Sequence, residues 1–274
     1  MKDIRFAHIS DTHVCKSYAE SQMKDVFEVC ENPVDSMKRC LKKLEAKKLD
    51  FVLFTGDLVH EGGKEDYDYF FDMVREALPG TRTIFALGNH DRKQPFFESM
   101  GLEERESYYH VEEVNGLRIV VLDSGVLGQE TGNISKEQEM WLEKILKEES
   151  PEYGTILAFH HPIVWTSSAF SMKVSENFQR ILRENKVRAI FCGHTHENSV
   201  DFFEGIPQIT ADSTAFGSEV TPEEFRMVEK TGYNIYTWNK ENWQMHVEQA
   251  QEPKVLSAID IKTIMELMKK KENC

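Results

Sequence analysis

Short apolar runs that alternate with helix-like stretches constrain the fold of this chain more than any other feature. Six runs rich in β-branched and aromatic residues have the length of buried strands: 5–10, 50–55, 81–87, 117–123, 155–159 and 188–192. Two stretches between the first three runs, 34–48 and 64–78, repeat apolar residues three or four positions apart, which is typical of helices. Strands that alternate with helices in this way predict βαβ units and an α/β fold.

The later part of the chain predicts a change of architecture. Ser135 begins a further helix, with Gln138 placed as its capping-box partner, and 174–184 reads as another helix. From about residue 198 the pattern becomes rich in β-strands without a long helix, which suggests a second sheet packed on the first. We expect one domain over 1–250 and a tail over 251–274, with an amphipathic helix at 257–271.

Charge and cysteine content narrow the functional classes. The chain has 33 Lys and Arg against 47 Asp and Glu, a net charge of −14, which disfavours long-lived contact with nucleic acid or an anionic membrane. No apolar run approaches the roughly 18 residues of a spanning helix, so we expect a cytoplasmic protein. Five cysteines without a CxxC pair fit reduced thiols better than disulfides or a thiolate metal site.

Polar motifs follow five of the six apolar runs, at the point where each predicted strand ends. They are D-x-H at 11–13, G-D at 56–57, G-N-H-D at 88–91, H-H-P at 160–162 and G-H-T-H at 193–196. In an open α/β sheet this edge is where sites form. A single Asp or His there is more often a helix cap or a satisfied polar residue. Six of the ten histidines belong to these motifs, however, and a folded core gives no reason for that clustering.

The residue types and spacings favour a site for transition metal ions. In an extended segment Asp11 and His13 would point the same way, because strand side chains alternate with period two, and His194 and His196 repeat this spacing. Glycines at 56, 88 and 193 would allow sharp turns and keep Cβ atoms out of the site. Imidazole and carboxylate together suit Zn, Mn or Fe more than Ca or Mg.

The order of the five motifs resembles the calcineurin-like metallophosphoesterase superfamily over residues 9–196. Within that span, HISDTH, GDLVHEGGKEDY, HHP and GHTH look closest to bacterial class III cyclic nucleotide and glycerophosphodiester phosphodiesterases. The resemblance implies a four-layer α/β fold, in which a two-sheet β-sandwich is flanked by helices. It also implies hydrolysis of a phosphoester at a binuclear metal centre.

The resemblance also implies a set of seven metal ligands. One metal ion would be held by Asp11, His13 and His196, the other by Asn89, His160 and His194, and Asp57 would bridge the two. Two neighbouring cations need a shared anion, and they acidify water enough to give hydroxide near neutral pH, which we take as the nucleophile. The expected cofactors are two divalent ions of Mn, Fe or Zn, since these ligands accept each of them.

Three further residues, His90, Asp91 and His60, are candidates for catalysis or for substrate contact, and the ligand Asn89 would also contact the substrate. His90 resembles the phosphate-contacting histidine of the family, which either protonates the leaving alkoxide or only clamps the phosphate, and Asp91 would orient its ring. His60 replaces the metal-bound Tyr of purple acid phosphatases; GDLVH resembles DNA-repair nucleases, in which a histidine here helps cleavage. An exposed or merely supporting role for His60 stays open. His161 either fills space or hydrogen-bonds a ligand, and it is left out of the ligand set.

Three functions follow from these observations. The first is hydrolysis of a small phosphodiester, such as a 3′,5′-cyclic nucleotide, at a site walled partly by 165–172 and 211–218. The second is a phosphomonoesterase or nuclease of the same superfamily, although no basic, aromatic-interleaved stripe indicates a nuclease. Protein phosphatases differ at 58–61 and have Glu in place of Asp91. The third, a non-catalytic scaffold that has lost its metals, is disfavoured because all seven ligand positions are intact.

Overall fold

The structure is a computed structural model that describes residues 3–21, 23–126, 129–166, 170–221, 223–251, 260 and 262. Almost all of the expected tail, including the helix predicted at 257–271, lies outside these residues. The strands are β1 (Ile4–Ile9), β2 (Phe51–Thr55), β3 (Arg82–Ala86), β4 (His110–Val114), β5 (Leu117–Val121), β6 (Thr155–Ala158), β7 (Ala189–Cys192), β8 (Ser199–Phe203), β9 (Ile206–Thr210), β10 (Gly217–Val220), β11 (Phe225–Val228), β12 (Gly232–Trp238) and β13 (Trp243–Gln249). The helices are α1 (Lys24–Val29), α2 (Pro33–Glu45), α3 (Lys64–Ala77), α4 (Lys93–Met100), α5 (Lys136–Leu146) and α6 (Glu176–Glu184).

Two large mixed sheets and a small hairpin organise these strands. The first sheet has the order β13-β12-β1-β2-β3, and its strands β1, β2 and β3 are parallel. The second sheet has the order β4-β5-β6-β7-β9-β8, with β5, β6, β7 and β9 parallel and antiparallel strands at both edges. Strands β10 and β11 form the hairpin. The central strands are apolar throughout because both of their faces are covered, as β2 illustrates with five buried residues.

Three apolar clusters confirm the expected four-layer fold. The sheets pack face to face through a core that contains the rings of Phe6, Phe51, Phe191, Tyr236 and Trp238. On the outer face of the first sheet lie α2, α3 and α4, and on the outer face of the second lie α5 and α6. Each helix buries one apolar stripe against a sheet, which is how an amphipathic helix is stabilised in a layered domain.

The prediction that the strands after about residue 198 form the second sheet was wrong in one respect. The final strands do not form it alone: β8 and β9 join a sheet that the middle of the chain begins with β4–β7, whereas β12 and β13 return to the first sheet. Strand β12 pairs antiparallel with β1, whose other edge is occupied by β2. Local patterns identify a strand but not its distant partner, so this return could not be predicted. Elements α1, α4, β4, β10 and β11 were also missed.

Among the residues that the structure describes, no helix is both long enough and apolar enough to cross a membrane.

Candidate metal centre

The five polar motifs meet at one place, where the carboxyl ends of β1, β2, β3, β6 and β7 come together from both sheets. Several groups of three side chains here have their possible ligand atoms within 4.8 Å of one another, and two of them share Asp11: Asp11, His13 and His196, and Asp11, Asp57 and His160. All of these residues are buried. The parallel direction of the strands therefore brings together carboxylates from the first sheet and imidazoles from the second.

The loops that carry these residues are not extended, contrary to the expectation for D-x-H and H-x-H. Five of the seven expected ligands have a positive φ: Asp11 (51°), His13 (44°), Asp57 (50°), His194 (70°) and His196 (52°). The loops after β1 and β2 lie side by side, since the backbone N–H of Asp11 donates to the Gly56 carbonyl at 3.0 Å and that of His13 to the Asp57 carbonyl at 2.9 Å. Left-handed backbone in non-glycine residues costs about 1–3 kcal/mol each and concentrates at functional sites.

Three glycines make room for the ligands, for two different reasons. Gly56 has φ of +97° and thus provides the turn before Asp57. At Gly88 an added Cβ would collide with the Asp57 carboxylate, and at Gly193 it would collide with the Ser10 hydroxyl. A side chain at either position would push a carboxylate out of the centre.

Asp11, His13 and His196 form the tighter half of the centre. The Nε2 atoms of His13 and His196 are 3.1 Å apart, and the His196 Nε2 lies 3.4 Å from an Asp11 oxygen. The Nδ1 of His196 is 2.8 Å from the Phe216 carbonyl, to which it must donate, so Nε2 is the nitrogen that faces the centre. Two imidazole nitrogens in such contact must share either a proton or a cation.

The other half contains His160, Asn89 and His194. His160 donates from Nδ1 to the Thr55 carbonyl at 2.8 Å, and its Nε2 lies 3.2 Å from the Asn89 Oδ1. The Nε2 of His194 is buried and has no hydrogen-bond partner among the described residues. Burial lowers the pKa of His194 to about 3, so the imidazole is neutral at neutral pH. A buried ring nitrogen without a hydrogen-bond partner is rare, and in the tautomer with the proton on Nδ1 the Nε2 lone pair is available to a metal ion.

Asp57 lies between the two halves. One carboxylate oxygen is 3.2 Å from the Nε2 of His160 and 3.7 Å from the Nε2 of His13. The other oxygen accepts from the backbone N–H of His90 at 2.9 Å. Burial alone would raise the pKa of Asp57, but His160, His90 and His13 hold it well below its usual range. The carboxylate is ionised and has the position of a bridging group.

The electrostatics of the centre require positive charge. Burial works to lower the pKa of His160, yet the carboxylates of Asp57 and Asp11 outweigh it and raise that pKa to about 9. Imidazole and carboxylate donors in this number suit a divalent transition metal ion. The unpartnered Nε2 of His194 and the close Nε2 atoms of His13 and His196 fit such ions as well.

Asp91 does not have the expected role of orienting the His90 ring. Its carboxylate accepts from the backbone N–H groups of Leu58 (3.1 Å), Val59 (3.1 Å) and Gly88 (2.9 Å), and from the Tyr67 hydroxyl (2.9 Å). These bonds join the loop after β2 to the loop after β3. Asp91 is therefore a structural brace for the loops that carry Asp57 and Asn89.

Glu61 occupies the place that was expected for Asp91. Its Oε1 lies 3.2 Å from Nδ1 of His90, and its backbone N–H donates to the His90 carbonyl at 3.1 Å. Burial lowers the pKa of His90, but Asp57 and Glu61 outweigh it and raise the pKa above the ordinary value. No sequence signal identified Glu61, because its left-handed backbone (φ 53°) is what turns it toward His90.

His60 lies behind a ligand rather than on a substrate face. Its Nδ1 is 3.1 Å from the Nδ1 of His13, and its Nε2 is 2.7 Å from the Ser21 hydroxyl. With only 4% of its surface exposed and both ring nitrogens occupied, His60 does not reach substrate in this structure. The supporting role left open for this residue fits the geometry, because a partner at Nδ1 orients the His13 ring.

His161, which was left out of the predicted ligand set, lies beside two of the predicted ligands. It forms a group with His160 and His194 whose possible ligand atoms lie within 4.8 Å. Its Nδ1 contacts the Ser124 hydroxyl at 2.9 Å, and its Nε2 is buried without a partner among the described residues. Glu130 was also missed: it accepts from the Asn89 amide at 3.3 Å. Both residues flank the second half of the centre.

The two expected wall segments lie beside the centre. In 211–218, Ser213 donates to the Asp11 carbonyl at 2.7 Å and the Phe216 ring lies 4.4 Å from the His196 ring. In 165–172, the Phe170 ring lies 6.0 Å from the His194 ring, while 167–169 lie outside the described residues.

Comparison with known proteins agrees with this arrangement. The family model described as calcineurin-like phosphoesterase matches residues 4–198. A probable cyclic nucleotide phosphodiesterase of Rhodococcus erythropolis is 33% identical over 79% of this chain and 72% of its own length. A cAMP/cGMP dual specificity phosphodiesterase of Mycobacterium tuberculosis is 32% identical over 80% of this chain and 70% of its own length.

A solved structure shows the same fold. The crystal structure of a dimetal phosphatase from Danio rerio has a TM-score of 0.65 and 14% identity, over 91% of this chain and 97% of that one.

Proposed function

This chain belongs to the calcineurin-like phosphoesterase family and is a metal-dependent phosphoesterase, and we propose that it hydrolyses small phosphodiesters, cyclic nucleotides among them, at a centre of two divalent metal ions. One observation carries the proposal. The ionised Asp57 lies between imidazole groups from both halves of the centre, 3.2 Å from His160 and 3.7 Å from His13. A shared carboxylate is what two neighbouring cations need.

The proposed ligands divide between two sites. Asp11, His13 and His196 would hold one ion, Asn89, His160 and His194 would hold the other, and Asp57 would bridge them. Mn, Fe or Zn would satisfy these donors. When bound, the two ions would supply Lewis acidity that lowers the pKa of water and neutralises phosphoryl charge.

His90 supplies the proton for the leaving group in this proposal. Glu61 occupies its Nδ1, so Nε2 is the nitrogen left to face a substrate. The raised pKa of His90 increases the fraction of imidazolium near neutral pH, and its Nε2–H can donate to a departing alkoxide. Glu61 stabilises the charged ring and limits its rotation.

Charge supports a small substrate over a nucleic acid. A net charge of −14 repels the many phosphates that a duplex would bring to the surface, whereas a small diester carries one phosphate to the centre. His60, the residue that suggested a nuclease, is buried against His13 and does not reach substrate. The names of the two relatives, both cyclic nucleotide phosphodiesterases, point to the same substrate class.

A hydrolysis screen tests the proposal. Purified protein loaded with Mn, Fe or Zn would be assayed on bis-p-nitrophenyl phosphate, 3′,5′-cyclic AMP, p-nitrophenyl phosphate and plasmid DNA at physiological salt. We expect either diester to give a kcat/KM above that for the monoester, with DNA cleaved poorly. A higher kcat/KM for the monoester would contradict the diester preference. Efficient plasmid cleavage that disappears in Asp57→Asn would contradict the small-substrate assignment.

A further inference from the structure

Two partly buried aromatic rings and one exposed ring extend outward from the His194 side of the centre. The Phe170 ring lies 6.0 Å from the His194 ring and 5.8 Å from the Phe225 ring, with which it is nearly parallel at 27°. Trp165 meets Phe170 edge to face at 5.7 Å. Trp165, Phe170 and Phe225 are hereafter the aromatic shelf.

We propose that the aromatic shelf is a subsite for a planar aromatic group of the substrate, such as a nucleobase, while the phosphodiester lies at the metal centre. The inference rests on the proposed function and extends it by naming what distinguishes one small diester from another. Stacking on an aromatic side chain is available to any base, because every base has a π-face.

Exposure separates the shelf from the ordinary aromatic packing of this protein. Phe216 also borders the centre, 4.4 Å from the His196 ring, but only 4% of its surface is exposed. Phe225, which reaches the centre only through Phe170, exposes 45% of its surface. A large aromatic ring that is half exposed beside a site retains a free face for a ligand, and a core ring does not.

The hairpin that carries Phe225 is tied to the ligand loop. Ser218 on β10 donates from its backbone N–H to the His196 carbonyl at 3.1 Å, and its hydroxyl donates to the Thr195 carbonyl. Val220 pairs with Phe225 across the hairpin. The position of Phe225 is therefore set relative to His194 and His196 rather than by a free loop.

Trp165, in the segment between β6 and α6, is also held in place. Its indole N–H donates to Glu197 at 3.3 Å, and Glu197 directly follows His196. The indole nitrogen is satisfied, so the ring offers only its apolar surface. Two of the three shelf residues are thus anchored to the G-H-T-H loop, which aligns the shelf with the proposed phosphate position.

Neutral planar groups suit this surface better than charged ones. The charged groups that contact or adjoin the shelf include Glu197, which accepts from Trp165, and Glu224, which is paired with Arg226. A second phosphate would meet repulsion at Glu197, whereas a base would meet none. We accordingly expect a single phosphodiester that bears one aromatic ring.

Phe225→Ala tests the shelf, with Met227→Ala as its matched control. Met227 lies two residues further along β11, on the same face, and also exposes 45% of its surface, but it has no ring contact with Phe170. With 3′,5′-cyclic AMP as substrate we expect kcat/KM to fall about tenfold in Phe225→Ala. With glycerophosphoethanolamine, which has no ring, we expect a change below about twofold. Phe225→Tyr should keep the activity of the parent protein on both.

A binding measurement keeps the shelf testable apart from turnover. Calorimetry of the metal-loaded protein should show adenosine 5′-monophosphate binding about tenfold more tightly than ribose 5-phosphate, with the preference lost in Phe225→Ala and kept in Met227→Ala. Equal affinity of the parent protein for both ligands would overturn the shelf even if diesters are hydrolysed. Tight nucleotide binding without any diester hydrolysis would instead overturn the proposed function and leave the shelf standing. If Phe225→Ala loses kcat/KM equally on 3′,5′-cyclic AMP and glycerophosphoethanolamine, Phe225 stabilises the hairpin and the shelf is overturned.

Discussion

His8 and His160 are both fully buried, yet their surroundings move their pKa values in opposite directions. His8 lies within β1, where its Nε2 contacts the Thr55 hydroxyl at 2.8 Å and burial lowers its pKa to about 3. His160 follows the end of β6, where burial acts in the same sense but Asp57 and Asp11 raise its pKa to about 9. One histidine lies inside the first sheet, and the other lies at the shared strand ends.

This difference shows what distinguishes the centre from the rest of the interior. A buried imidazole in this fold is neutral unless carboxylates face it, and among the described residues the strand ends bring Asp11 and Asp57 together. Two ionised carboxylates buried this close to each other need a compensating cation. The strand ends therefore bind a cation, either a proton on His160 or metal ions, whereas the interior excludes one.

Removing the carboxylate that the strand ends share should have the largest effect. Asp57→Asn keeps the shape but removes the charge that both halves of the centre use, so we expect loss of both metal ions and a fall in diester hydrolysis of roughly a thousandfold or more. Metal analysis by mass spectrometry and bis-p-nitrophenyl phosphate assays check this result.

Asp123→Asn is the control for that variant. Asp123 is a buried strand-end carboxylate paired with Lys93 at 2.8 Å, outside the proposed ligand set. The Asp123→Asn protein should retain two metal ions. If Asp57→Asn binds as much metal as Asp123→Asn does, Asp57 is not the carboxylate that holds the two ions.

Replacing His90, at the edge of the centre, should have a smaller and more selective effect on hydrolysis than replacing Asp57. His90→Ala should keep its metal content but hydrolyse 3′,5′-cyclic AMP roughly a hundredfold more slowly, because a poor leaving alkoxide needs a proton. Bis-p-nitrophenyl phosphate releases a stable phenolate that needs no proton, so its rate of hydrolysis should fall much less in His90→Ala. Equal losses on the two substrates would reduce His90 to a phosphate clamp.

The free energy of unfolding should depend on pH through His8, in the interior, without any change at the metal centre. Unfolded His8 binds a proton below pH 6.5, whereas folded His8 does so only near 3, so the free energy of unfolding falls as pH drops through this window. Its contribution between pH 6.5 and 5 is about 2 kcal/mol. Urea unfolding of the metal-free parent protein should therefore give a free energy of unfolding that decreases between pH 7 and pH 5. In His8→Gln that decrease should be smaller by about 2 kcal/mol. An unchanged pH dependence would contradict the neutral interior.

The sequence was sufficient to predict the strands that carry the motifs, because apolar runs and motif positions are local, and their convergence at one edge, because alternating strands and helices imply parallel strands. It was insufficient where backbone conformation decides which side chains meet. The left-handed residues Asp11 and His13 replace the expected extended pair, and Glu61 rather than Asp91 contacts the His90 ring. His60 turned inward for the same reason, since its place depends on contacts with His13 and Ser21 that only the folded loops create.

Anomalous diffraction from crystals soaked in Mn²⁺ would locate the metal ions of the proposed centre. We expect two anomalous peaks about 4 Å apart. The Asp57 carboxylate should contact both ions, with His13 and His196 beside one and His160 and His194 beside the other. A single peak, or two peaks with Asp57 turned away from either ion, would contradict a centre of two bridged metal ions.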